Sequence, residues 1–103
     1  MFARVARFEG VDFAAAEETL EQAEAIGRPL IGALTGYVGN FELATADGKV
    51  LSVTLFDTED NAQAAEHTFD QVLPEKLGHL FKDWAGKRLS VDRYTVVSHD
   101  WNG

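Results

Sequence analysis

Chemistry at neutral pH needs side chains that exchange protons, hold metals or attack as nucleophiles, and this sequence has few of them. It contains three histidines and no cysteine, which removes thiolate nucleophiles, disulfides and thiolate zinc sites. His67 follows Glu66 and precedes Asp70 by three residues, an i,i+3 pair that could touch one cation. A metal site needs three or more converging ligands. The spacing shows no such set, so no metal is expected. The other role for His67 is a solvated helix side chain. His79 falls between Leu77 and Leu80, close to Phe81 and Trp84. There an imidazole can serve as acid, base or axial ligand at a pocket mouth, or it can be a helix-edge histidine with a backbone partner.

Tyr37 sits among Gly32, Gly36 and Gly39, and Tyr94 lies in a β-like run. Either phenol could donate a hydrogen bond to a ligand or leave its hydroxyl at the surface. The glycines form neither GxGxxG nor a P-loop and follow a helix rather than a strand, so they read as turns or bulges, not a phosphate cradle. No serine stands in a nucleophile-elbow context. Glu17, Glu18, Glu21 and Glu24 read as a solvated helix face. The candidate ligand-binding set is therefore His67, His79, Trp84, Tyr37 and Phe81, with no residue assigned a catalytic role and no cofactor expected.

Composition narrows the partners. The net charge is −8, and the nine basic residues are scattered, only Lys87 and Arg88 being adjacent. Binding a phosphate backbone or an anionic membrane requires clustered positive charge, so neither nucleic acid nor membrane is expected as a partner. No run approaches the roughly 18 apolar residues of a membrane span. Phe2–Phe8 lacks the basic start and long apolar stretch of a signal peptide, and a cytoplasmic location is expected. With 103 residues, 46% hydrophobic and 25% charged, the chain reads as one domain over 1–103 with an ordinary globular balance.

The elements that must position these side chains alternate. Phe2 to Phe8 is β-like and stops at Glu9-Gly10. Asp12 can cap a helix over 12–26, with Phe13, Ala16, Leu20, Ala23 and Ile26 on one stripe and Gly27-Arg28-Pro29 ending it. Val38 to Thr45 and Val50 to Phe56 flank Asp47-Gly48, a hairpin signal, so Ala46 to Lys49 should be the tip. Thr58 or Asp57 offers an N-cap for a second helix with Glu59 and Asp60 in its first turn. That helix should stop near Pro74, and a shorter piece carrying Leu77, Leu80, Phe81 and Trp84 should close at Gly86. Leu89 to Val97 is the last strand. The order is β-α-β-β-α-β, the ferredoxin-like plan.

On that order the opening Met1–Gly10, the hairpin strand Asp47–Phe56 and the passage Asp57-Thr58-Glu59-Asp60-Asn61-Ala62 resemble the dimeric α+β barrel superfamily, in particular the antibiotic-biosynthesis monooxygenase-like (ABM) proteins. The likeness spans nearly the whole chain as a pattern. Its more specific part is the strand-to-helix passage, where relatives commonly have a tryptophan-glutamate-serine type sequence and this chain has Phe56-Asp57-Thr58. The superfamily includes cofactor-free oxygenases, haem-degrading enzymes and stress-response proteins. The haem degraders use an asparagine on the first strand, and a tryptophan and a histidine on and after the second helix. Here the first strand has no asparagine, Ala64-Ala65-Glu66 stands where the tryptophan would fall, and His79 comes later than the ligand, so haem degradation is disfavoured.

Helix-length periodicities at 12–26 and 59–73 alternate with short β-runs, the central pair joined by a hairpin, which predicts a four-stranded antiparallel sheet with both main helices on one face. Leu51, Val53 and Leu55 are expected to face the helices, with Ser52, Thr54 and Phe56 opposite. Phe56 and its intermediate neighbours make that opposite face too apolar for water, so a second copy should cover it and the chain should be a homodimer. A pocket is expected between helices and sheet within each subunit, opened by splaying at Pro74. Two functions fit. One is a cofactor-independent monooxygenase acting on an aromatic or polyketide-like molecule. The other is a non-catalytic dimeric ligand-binding or scaffold domain of the stress-response type.

Overall fold

β1 (Phe2–Glu9) pairs on both sides, as its short run of β-branched and aromatic residues favours. The computed structural model describes residues 1–81 and 84–101. β1 is flanked by β3 (Val50–Phe56) and β4 (Lys87–Thr95), and β2 (Tyr37–Ala44) pairs with β3. The sheet has four strands in the order β2-β3-β1-β4, all pairings being antiparallel. The helical elements are α1 (Phe13–Ala16), α2 (Leu20–Gly32), α3 (Glu59–Ala64), a π-helical turn (Thr68–Val72) and α4 (Leu73–Phe81). This is the expected α+β, ferredoxin-like arrangement.

Local chemistry accounts for most boundaries. The Asp12 carboxylate accepts from the Ala15 backbone N–H at 3.1 Å, and the Thr58 hydroxyl accepts from that of Asn61 at 3.2 Å. Each satisfies an orphan donor of its helix. The hairpin tip closes through the Thr45 carbonyl, which accepts from the Gly48 N–H at 3.2 Å, with Gly48 at φ +90°.

Two proline signals acted differently from expectation. Gly27-Arg28-Pro29 does not end the first long helix, which runs on to Gly32 with Pro29 inside it. Gly27 is buried there against Leu77 of α4, whose methyl would lie in ordinary contact, 3.4 Å, from a Cβ. Close packing of α2 on α4 thus outweighs the local cost of a glycine and a proline. Pro74 likewise does not break a helix. It occupies the first turn of α4, where a missing N–H is tolerated. The irregularity comes before it: the Leu73 N–H reaches back five residues to the Thr68 carbonyl, forming the π-helical turn. The expected splay at Pro74 is replaced by this upstream bulge.

The two faces of the sheet are also exchanged relative to expectation. Phe2 pairs with Phe56 and Arg4 with Thr54 across β1 and β3. Phe56 is fully buried against Ala62 and Ala65, with Phe2, Leu34 and Phe69 around them. Phe56, Thr54 and Arg4 therefore face the helices, and Leu51, Val53 and Leu55 face away. The small side chains of Ala62 and Ala65 leave room for the Phe56 ring. Thr54 is tolerated inside because the Asn40 amide donates to its hydroxyl at 3.0 Å. A second cluster joins Ala23 of α2 to Leu77 and Leu80 of α4. The open face retains Ala3, Val53 and Leu55, with Met1, Val5 and Val96 packed beside them.

The loop after β1 is stitched at both ends. The Val11 N–H donates to the Gly48 carbonyl at 3.1 Å and the Asp12 N–H to that of Trp84 at 3.0 Å. Gly86 has φ +68°, and a Cβ there would lie 2.1 Å from the Glu9 carbonyl oxygen. Backbone on both sides cannot yield cheaply, so Gly86→Ala should lower unfolding free energy by more than the roughly 1–2 kcal/mol of a left-handed conformation alone. Urea denaturation measures this; a loss under about 1 kcal/mol would contradict it.

Candidate functional site

The helix-facing side of the sheet is polar at its centre. Arg4 is 3% exposed, and its Nε donates to a Glu66 carboxylate oxygen at 3.1 Å. Its guanidinium lies 3.9 Å from the centroid of the Phe69 ring, in cation–π geometry. Around this pair a charge network extends to the rim. Arg93 lies 3.2 Å from the same Glu66 oxygen, Arg88 3.0 Å from Asp70, and Arg4 Nη2 3.9 Å from Asp70. The π-helical turn presents both Phe69 and Asp70. Burial pushes the Arg4 pKa down from its ordinary value, and the Glu66 carboxylate works against that shift by its charge and hydrogen bond.

Towards β2 the same face continues with Asn40 and Glu42. Asn40 donates to the Val53 carbonyl at 3.2 Å as well as to Thr54. Arg28, Ile31, Gly32, Tyr37 and Asn40 line a shallow groove of about 170 Å³ between the end of α2 and β2. Glu42 reaches solvent, yet its neighbours displace enough water to raise its pKa. The charge of Glu24 adds to that, against the opposing effects of Arg28 and a Ser52 hydrogen bond. The open face holds a larger concavity, about 460 Å³, whose lining includes Arg7, Leu43, Leu51 and Leu89.

The side chains expected from sequence are dispersed. Phe81 and Trp84 meet edge to face with ring centroids 5.1 Å apart. The Trp84 indole N–H donates to the Thr19 hydroxyl at 2.8 Å, and that hydroxyl donates to the Leu80 carbonyl at 3.2 Å. The indole thus pins the start of α2 to the end of α4. Tyr37 is half-buried in the groove at the other end of α2. Thr19 and Ile31, which mark those two ends, are twelve residues apart, so the helix separates the groups by about 18 Å. His67 and His79 are both exposed. His79 lies in the last turn of α4. Among the described residues no group of three His, Asp or Glu side chains is placed to hold a metal ion.

No family model matches the sequence, and neither does any curated protein. Solved structures do match. SnoaB, a cofactor-independent oxygenase from Streptomyces nogalater, superposes with TM-score 0.67 at 17% identity over 95% of this chain and 94% of its own. The ActVA-Orf6 monooxygenase of Streptomyces coelicolor, solved with nanaomycin D, gives 0.68 at 18% over 99% and 92%. The haem degrader MhuD of Mycobacterium tuberculosis gives 0.68 at 19% over 98% and 100%. The chain has the fold of the ABM proteins.

Within the ABM fold of this chain, the residues missed from sequence are Arg4, Glu66 and Arg93 as a unit, with Asn40 and Thr54. One signal was available: Arg4 interrupts an otherwise apolar alternation Phe2, Ala6, Phe8 on a strand that pairs on both edges. A charge there has to be paired.

Two outcomes follow for stability. Arg4→Leu removes the buried partner of Glu66 and should cost roughly 3 kcal/mol, the low end for breaking a buried pair because Arg93 remains. Arg93→Gln, with its side chain 40% exposed, should cost no more than about 1 kcal/mol. Equal losses in denaturant titrations would contradict this layout. For Glu42, a pKa raised on folding means the native state binds the extra proton, so its contribution weakens as pH rises above the ordinary carboxylate range. Glu42→Gln should therefore raise Tm at pH 7 relative to wild type and lose that advantage near pH 4. An advantage that is larger at pH 4 would reverse the assigned sign.

Proposed function

We propose that this chain forms a homodimer and binds an aromatic or polyketide-like small molecule between helices and sheet, oxygenating it without a cofactor. The observation that supports a site there is the polar interior: Arg4 and Thr54 are buried where a purely structural sheet would bury apolar side chains. Tyr37, Phe81 and Trp84 remain in the proposal as groups along that layer, Tyr37 as a hydrogen-bond donor and the other two as apolar wall. SnoaB, which shares the fold, is a cofactor-independent oxygenase. In chemistry of that class an electron-rich ring reduces dioxygen itself. Two hydrogens on carbon are replaced by one oxygen atom, and the other oxygen leaves as water. The protein's share is to orient the ring and displace water from it.

Self-association is supported by the open face. Phe41, Leu43, Leu89 and Tyr94 are between 43% and 55% exposed. Phe41 and Leu43 sit opposite Val53 and Leu51 on that face, and Tyr94 opposite Ala3. Large apolar side chains exposed in this number on one sheet face mark an interaction surface. A two-fold axis places the same patch of a second chain on it.

A specific observation favours the second reading, a non-catalytic ligand-binding or scaffold domain. Among the described residues every buried side-chain nitrogen and oxygen already has a partner, and both helix histidines face solvent. Incubation with dihydroxynaphthalenes under ¹⁸O₂ separates the two. Enzyme-dependent incorporation of one ¹⁸O supports oxygenation, and binding of the same molecules without incorporation supports the second reading. For assembly, sedimentation at micromolar concentration should give twice the chain mass, and Leu43→Glu should shift it to the monomer. A wild-type monomer would overturn the dimer.

A further inference from the structure

The network around Arg4 has more positive charge than it uses. Among the described residues Arg4, Arg88 and Arg93 face Glu66 and Asp70, so three guanidiniums meet two carboxylates and one positive charge is in excess. This occurs in a chain of net charge −8. Arg4 and Arg93 are also direct cross-strand partners of β1 and β4. Like charges opposite one another in a sheet are destabilising, and Glu66, touching both, relieves the repulsion, with Asp70 adding to it at Arg4. Sequences retain such local conflicts chiefly at functional sites.

The donors of Arg4 are likewise incompletely used. Its Nε is engaged by Glu66, while among the described residues its Nη atoms have only the 3.9 Å contact to Asp70, longer than a hydrogen bond. Among the described residues no buried side-chain nitrogen lacks a partner, so the small accessible part of Arg4 includes these Nη atoms. Asp70 and the cross-strand partner Arg93 lie beside Arg4, and Arg88 lies beside Asp70; their side chains are 40–43% exposed. The Phe69 ring lies under the Arg4 guanidinium. Phe69 and Asp70 are presented by a π-helical turn, a rare distortion found disproportionately at functional sites.

We propose that the surface between the π-helical turn and β4 where Arg4, Arg88 and Arg93 meet is a carboxylate-recognition subsite, and that the ligand is a planar aromatic acid. The inference rests on the small-molecule reading above and adds the charge of the ligand to it. A guanidinium fork matches a carboxylate in two parallel hydrogen bonds. An incoming carboxylate takes the Nη donors of Arg4 and neutralises the excess charge it shares with Arg93 and Arg88. The weak Asp70 contact is the one displaced, while Glu66 stays as the fixed counter-charge. The aromatic body of the ligand then lies along the apolar edge provided by Phe69.

The test uses 2-naphthoate and its neutral methyl ester, titrated by calorimetry into the wild-type protein and into Arg93→Gln and Arg88→Gln, both altered at partly exposed positions. Arginine-side-chain NMR locates the site through the Arg4 Nε–H resonance. The expected result is that naphthoate binds at least about tenfold more tightly than the ester, as one charge-assisted hydrogen bond implies. Its affinity should fall about tenfold in Arg93→Gln and decline with salt, while ester affinity stays constant and the Arg4 resonance shifts only with the acid. Ester and acid binding equally, or naphthoate affinity unchanged in both variants, would overturn the carboxylate subsite and leave the small-molecule reading standing. Failure of both probes to bind would overturn the subsite and count against that reading as well.

Discussion

Burying a guanidinium on a central strand sets a condition on everything packed above it. The charge cannot be shed near neutral pH, because arginine stays protonated even when burial lowers its pKa. The helix layer must bring a carboxylate and a polarisable surface to one point over β1. Glu66 and Phe69 do this from the same helical stretch, three residues apart, which puts both on one face only if the helix is in the right phase there. The π-helical turn beginning at Thr68 adjusts that phase. The placement of α3 and α4 over the sheet can thus be understood as following from the position of Arg4, with Phe56 against Ala62 and Ala65 providing the apolar contact beside it.

The same constraint explains the assignment of the two sheet faces. Alternation fixes only that Leu51, Val53 and Leu55 share a side, not which side is inside. An argument from hydrophobicity alone puts the leucines under the helices. The strands instead turn Arg4, Thr54 and Phe56 inward, because the polar members of that set have partners there: Glu66 for Arg4, and Asn40 for Thr54. The leucine and valine set is left on the open face, which is consequently more apolar than a reading from composition suggests.

Legibility in the sequence followed the range of the interactions. Asp12, Thr58 and Asp47-Gly48 act within four residues, and caps and turn fell where those residue types place them. Strand and helix order followed from periodicity in the same way. Gly27 and Pro29 were misleading because their local cost is offset by Leu77, fifty residues away in sequence, and Pro74 because its missing N–H fell in a first turn. The candidate site was the least legible part. Arg4 and Glu66 are separated by 62 positions, and no spacing rule connects residues that meet only through β1 and the helix above it. Aromatic and histidine side chains drew attention by type. Trp84 proved to join α2 to α4 through Thr19, a long-range packing role that residue type does not reveal.

The two faces are joined by the strands themselves. On β1, Arg4 points to the helices and Val5 to the open side, and on β3 Thr54 and Val53 alternate in the same way. Whatever covers the open face restrains the backbone that holds Arg4 and Thr54 on the other. A site made of a buried fork, with Arg93 and Arg88 on an edge strand, gains most from such restraint, since β4 pairs on one side only. Ordering those two side chains when a ligand binds costs entropy that a fixed β4 reduces in advance. A partner on the apolar face would therefore do more than remove it from water: it would pre-organise the charged side of the same sheet, where two guanidiniums share one carboxylate.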